Sequence, residues 1–126
     1  PRGTFNLKYI LYRKDRLSRL QTNLKKKIIK INMGWCDDIK SKQYNKLVSF
    51  PFKYHAEKLY KKDSSYDIII VTSHNTNPVK KGKGSAIFIH ASKKRLTPTA
   101  GCISLNKKDL IILLKYINNK SKISIF

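Results

Sequence analysis

Cys102 and His90 are the side chains whose types and spacing suit covalent chemistry in this sequence. The thiol lies in Thr99-Ala100-Gly101-Cys102-Ile103-Ser104-Leu105, and His90 closes the apolar run SAIFIH twelve residues upstream. A buried strand ending in His, a loop, and Gly-Cys on a second short strand can set a thiol against an imidazole. The imidazole takes the proton and the sulfur attacks a carbonyl. Gly101 suits that picture, because without a Cβ it permits positive φ and lets substrate or backbone approach closely. Main-chain N–H groups at Gly101 and Cys102 are then placed to face an oxyanion. The residues alone leave a plainer alternative open. A cysteine in an apolar strand is commonly a small core residue, and a strand-end histidine commonly belongs to a turn.

Other candidates carry less. His74-Asn75 ends the second strongly apolar run, Asp67–His74, at the end of the sheet expected for His90. The pair suits turn chemistry or a contact to substrate. His55 reads as a surface residue. Cys36, in Trp35-Cys36-Asp37-Asp38, stands beside two acids that disfavour a thiolate, so it reads as structural, with Trp35 as a core or loop anchor rather than a sugar-stacking platform. Gly82-Lys83-Gly84-Ser85 is no phosphate loop, since a strand follows it rather than a helix. Two cysteines cannot form a disulfide-rich scaffold or a four-thiolate zinc site, and neither CxxC nor HExxH occurs.

Short strands must position these groups. Thr4–Tyr12 alternates and is rich in aromatic and branched residues, which predicts a strand. Arg13–Asn23 reads as a loop, Lys26–Ile31 as a short strand, and Met33–Asn45, with its Gly, Asp and Asn, as an ordered loop. Phe52–Lys61 after Pro51 is expected to form a short helix. Asp67–His74 and Ser85–His90 predict strands buried on both faces. Asn75–Gly84 and the basic stretch Ala91–Ala100 read as loops, and Gly101–Leu105 as extended. Asn106 suits an N-cap with Asp109 three residues on. The helix Lys107–Asn118 then aligns Leu110, Leu113, Leu114 and Ile117 on one face. Ile123–Phe126 is either a last strand or a frayed tail. The expectation is one mainly β domain over residues 1–126 with a C-terminal amphipathic helix.

The chain has 126 residues, with 28 Lys+Arg against 7 Asp+Glu, a net charge of +21. Such a surplus raises a nucleic-acid or other polyanion partner as an alternative function. Only five of these cations are arginine, the lysines are scattered, and no RNP-like or helix-turn-helix pattern occurs, so a solvated basic surface without specific nucleic-acid binding is favoured. A field this positive is expected to favour a thiolate. No run reaches the length of a transmembrane helix. No signal peptide is visible, since Leu7–Tyr12 is short and interrupted by Lys8, and Pro1 in place of Met implies a native beginning that is missing or processed.

The segment SAIFIHASKKRLTPTAGCISLNKKDLIILLKYI resembles the signature of the YkuD (ErfK-type) L,D-transpeptidase catalytic domain: His, a loop, Ser or Thr, one residue, Gly-Cys, then a helix. Pro1-Arg2-Gly3-Thr4-Phe5, Tyr12-Arg13-Lys14-Asp15-Arg16, Gly34-Trp35-Cys36-Asp37-Asp38, Tyr44-Asn45 and Gly82–His90 extend the likeness over nearly the whole chain. The resemblance implies a YkuD-like β-sandwich or open barrel, here without the family's first strands. It implies Cys102 as nucleophile and His90 as base and later acid, its other nitrogen held by a main-chain carbonyl. It further implies a cell-wall enzyme of the bacterial periplasm or envelope that acts on peptidoglycan stem peptides, without metal or organic cofactor, and forms 3→3 cross-links through a Cys thioester. Thr99 keeps the family's hydroxyl. Ser104 stands where many members place Arg or Asn to contact substrate, which raises a catalytically inactive, peptide-binding relative as a further alternative. Thr99, Ser104, His74 and Asn75 are the expected substrate contacts.

Overall fold

The structure is a computed structural model and describes residues 1–92 and 102–126. Nine strands and one helix follow in the order β1 (Gly3–Tyr12), β2 (Lys26–Ile28), β3 (Met33–Cys36), β4 (Leu47–Ser49), β5 (Ala56–Lys58), β6 (Ile68–Thr72), β7 (Phe88–Ser92), β8 (Ile103–Asn106), α1 (Lys107–Leu114) and β9 (Lys122–Ile125). The larger sheet runs β2-β1-β6-β7-β8, with β9 paired to the start of β1, and the smaller runs β4-β3-β5. The domain is therefore mainly β, as the sequence predicts.

The large sheet is covered on both faces, and the alternation of its side chains shows how. Ile10, Tyr12, Ile68, Ile70, Ile89 and Ala91 pack against Leu110 and Leu114 of α1 and against Leu20 and Leu24. Leu11, Ile69, Val71 and Phe88 face the opposite way, onto Met33, Trp35 and Leu59 beside the small sheet. Residues one apart point to opposite faces of a strand. A strand between two covers is therefore apolar at every position, and all five residues of β6 are buried.

Three expectations are corrected here. Met33–Cys36 is the fully buried central strand of the small sheet, not part of a loop. Gly34 suggested a turn, but its missing side chain is where the Phe50 ring packs: a Cβ would lie 2.6 Å from Phe50 Cζ. A strand glycine often marks such a close approach. Within Phe52–Lys61 the regular element is β5, antiparallel to β3, rather than a helix. Pairing with a neighbouring strand overrides the helix propensity of Ala-Glu-Lys. The helix α1 also ends at Leu114, short of Asn118, while Ile117 remains buried beyond it. Asn106 caps it, its side chain accepting from the Lys108 N–H. The tail forms β9, paired with Gly3–Asn6.

The expected strand Ser85–His90 is shifted to Phe88–Ser92. Ala86 has φ 59°, which interrupts extended backbone just ahead of it. Residues 93–100, most of the expected basic loop, lie outside the described residues.

A buried carboxylate ties distant segments together. Asp67, 1% exposed, accepts from Arg16 Nη1 at 2.7 Å and from Lys107 Nζ at 2.8 Å. It thus links the β1–β2 loop, the start of β6 and the first residue of α1. Arg13, also buried, forks onto Asp15, donates to the Lys61 carbonyl and stacks on Tyr60 at 3.6 Å. Arg16 donates to the carbonyls of Lys62 and Asp63. The Tyr12–Arg16 segment therefore grips residues 60–63, which lead towards the site.

Candidate active site

His90 sits in the middle of β7, between Ile69 of β6 and Ser104 of β8 in register. It is 8% exposed and lies on the face that turns towards the small sheet. Its Nδ1 is 2.9 Å from the Ala91 carbonyl oxygen. A carbonyl only accepts, so in the neutral ring Nδ1 carries the hydrogen and Nε2 the lone pair. The Tyr66 ring stands edge-on to the imidazole, with centroids 5.3 Å apart.

Cys102 lies immediately before β8, two residues from Ser104, the partner of His90. Side chains two apart share a face, so the thiol and the imidazole are on the same side of the sheet. Both line one cavity of about 340 Å³, together with Asp37, Glu57, Lys61 and Tyr66. The structure thus brings together the two residues that the sequence singled out first. A roomier groove of about 620 Å³ along Lys8, Tyr9 and Lys25–Lys27 is lined by no thiol or imidazole.

The thiol donates to the Ala86 carbonyl at 2.9 Å. Its pKa is raised, chiefly by burial; the Phe88 N–H pulls it down, Glu57 pushes it up, and Lys61 acts weakly the other way. The expectation that the basic molecule favours a thiolate is therefore corrected. Loss of water, with Glu57 nearby, outweighs a surplus screened by solvent. Cys102 rests as a neutral thiol that needs a base.

Ala86 owes its unusual backbone to Asn45. The Ala86 N–H donates to Asn45 Oδ1 at 3.1 Å, and Trp35 Nε1 donates to the same oxygen at 2.9 Å. Asn45 Nδ2 in turn reaches the carbonyls of His74 and Asn75. The carbonyl facing Cys102 is thus held from the small sheet.

The remaining expected contacts are distributed differently. His74 and Asn75 do not line the cavity: His74 Nε2 bonds the Lys83 carbonyl, and Asn75 bonds Lys80 and Gly84, closing the β6–β7 loop. Ser104 pairs with His90 in the ladder. Thr99 and Gly101 lie outside the described residues. Cys36 is fully buried and Trp35 nearly so, which fits core roles. Asp37 engages exposed His55, and Asp38 accepts from the N–H groups of Lys40 and His55. Glu57, Lys61 and Tyr66 were missed in the sequence. They fall in the segment read as a helix or just ahead of a strand, and no spacing links them to His90.

The family model described as the L,D-transpeptidase catalytic domain, YkuD, matches residues 1–125. No curated protein and no solved structure matches the chain. No helix among the described residues is long and apolar enough to cross a membrane.

Proposed function

Since the chain belongs to the YkuD family of L,D-transpeptidase catalytic domains, whose members act on peptidoglycan peptides, we propose that Cys102 and His90 carry out acyl transfer on peptidoglycan stems in the bacterial cell envelope. The observation that carries this reading is the shared cavity, in which the half-buried thiol and an imidazole bonded through Nδ1 to a main-chain carbonyl lie on one face of neighbouring strands.

His90 Nε2 takes the thiol proton as Sγ attacks the carbonyl between the third and fourth residues of a tetrapeptide stem. The C–N bond breaks, and the same proton passes to the departing D-amino acid. An amine on a second stem then attacks the thioester, gives its proton to His90, and expels the thiol, leaving a 3→3 cross-link. Water in place of the amine gives carboxypeptidase activity. The N–H groups of Gly101 and Cys102 receive the oxyanion in this scheme. The Ala91 carbonyl fills the place of the third catalytic member by fixing the tautomer, so the site works without a carboxylate bonded to the imidazole.

The test is intact-mass analysis after incubation with a carbapenem or a tetrapeptide donor. One covalent adduct mapped to Cys102, absent in Cys102→Ala, is expected. A folded protein whose Cys102 stays unmodified by either reagent refutes the reading.

A further inference from the structure

The cavity wall opposite the thiol carries a side-chain network that the scheme above does not use. Tyr66, 7% exposed, donates its hydroxyl to Glu57 Oε1 at 2.6 Å. Lys61 Nζ lies 4.2 Å above the Tyr66 ring and 3.4 Å from the same Glu57 oxygen. Tyr66 also meets Phe88 edge-on at 6.1 Å, and Phe88 meets Trp35 at 5.1 Å. The tyrosine is therefore held from three sides: by β5 through Glu57, by β7 through Phe88, and by Lys61. The same ring packs nearly perpendicular to the His90 imidazole, with centroids 5.3 Å apart.

His90 needs such a neighbour. Among the described residues its side chain makes one hydrogen bond, to the carbonyl of the next residue in its own strand. A single bond so close in sequence fixes the tautomer but leaves the tilt of the ring to packing. A base must present its lone pair within hydrogen-bond reach of the proton it takes, and small misalignments are costly.

We propose that Tyr66, anchored by Glu57, is a positioning residue that sets the plane of the His90 imidazole, so that Nε2 is aimed at Cys102. The inference rests on His90 being the base. Glu57 does not bond the imidazole and acts only through the tyrosine ring. Burial and the Glu57 bond push the Tyr66 hydroxyl well above its ordinary pKa, so it remains a donor throughout the working range. The arrangement also makes the small sheet part of the site, since Glu57 of β5 bonds the tyrosine that packs on His90 of β7.

The experiment follows alkylation of Cys102 by iodoacetamide against pH, with the adduct located by peptide mass and folding checked by circular dichroism. Among the described residues the charged and titratable groups lining the cavity are Asp37, Glu57, Lys61, Tyr66, His90 and Cys102, so the acidic limb of the profile is compared across variants of this set. Tyr66→Leu is expected to slow alkylation at neutral pH about tenfold and to move the limb by about half a unit. Tyr66→Phe removes the anchoring bond and is expected to slow it about threefold; Glu57→Ala removes the same bond and also a charge that raises the thiol, so its slowing is smaller. Because they break one interaction, the double variant is expected to lose no more than Tyr66→Phe alone.

A folded Tyr66→Leu that tracks the unaltered protein in rate and limb overturns the proposal. If that variant does not fold, losses that multiply in the Tyr66→Phe/Glu57→Ala double variant overturn it instead. His90→Ala separates the two levels. Alkylation unaffected by His90→Ala refutes the base assignment itself, whereas a strong loss there with no effect at Tyr66 refutes only the brace.

Discussion

Replacing Asp67 by Asn tests the strut between the β1–β2 loop, β6 and α1. The carboxylate is 1% exposed and accepts from Arg16 at 2.7 Å and Lys107 at 2.8 Å. Asparagine keeps the shape, but it turns one acceptor into a donor that faces a cation. A charge-assisted hydrogen bond contributes about 1.5–3 kcal/mol, and stripping one partner from a buried pair costs about 3–5 kcal/mol. The side chains of Arg16 and Lys107 are 30% and 35% exposed, so water recovers part of that loss. The expected destabilisation is about 2–3 kcal/mol, which corresponds to a Tm lower by about 6–12 °C for a domain of this size. Urea unfolding followed by the fluorescence of Trp35, the only tryptophan, reads it as a lower midpoint with an unchanged slope. The difference is expected to persist in 1 M salt, because buried pairs are screened far less than exposed ones. A loss below about 0.5 kcal/mol, the level of an exposed pair, refutes the reasoning.

Two other perturbations probe the surroundings of the site. Asn45→Ala leaves the Trp35 indole N–H and the Ala86 N–H without their shared acceptor. A loss of about 2–4 kcal/mol in urea unfolding is expected, and a change within about 0.5 kcal/mol contradicts the hub role. His55, fully exposed, is held above its ordinary value of 6.5 mainly by its bond to Asp37. Its protonated form pairs best in the folded chain, so its contribution is complete below pH 6.5 and fades as pH rises through the elevated value. An NMR titration of the ring proton is expected to show that elevation and its loss in Asp37→Asn; a titration unchanged by that substitution disproves it.

Composition and alternation in the sequence were enough to specify a mainly β domain, the two buried strands around Asp67–His74 and Ser85–His90, and the capped helix after Asn106. Those features depend on local chemistry: branched residues, period-two burial and an Asx cap act over a few neighbours. Cys102 and His90 stood out through the order of strand, loop and Gly-Cys together with the family resemblance, and both line one cavity. Tertiary structure alone decided the rest. Gly34 became a strand residue because Phe50 packs where its side chain would be, and Ala-Glu-Lys became a strand because β3 offered an edge. Glu57, Lys61 and Tyr66 reached the cavity through the fold of the small sheet onto the large one, a contact between segments with no periodic relation. The thiol likewise departed from expectation because its proton affinity answers to burial and to groups within a few ångströms, while a net charge of +21 counts every lysine equally wherever it lies.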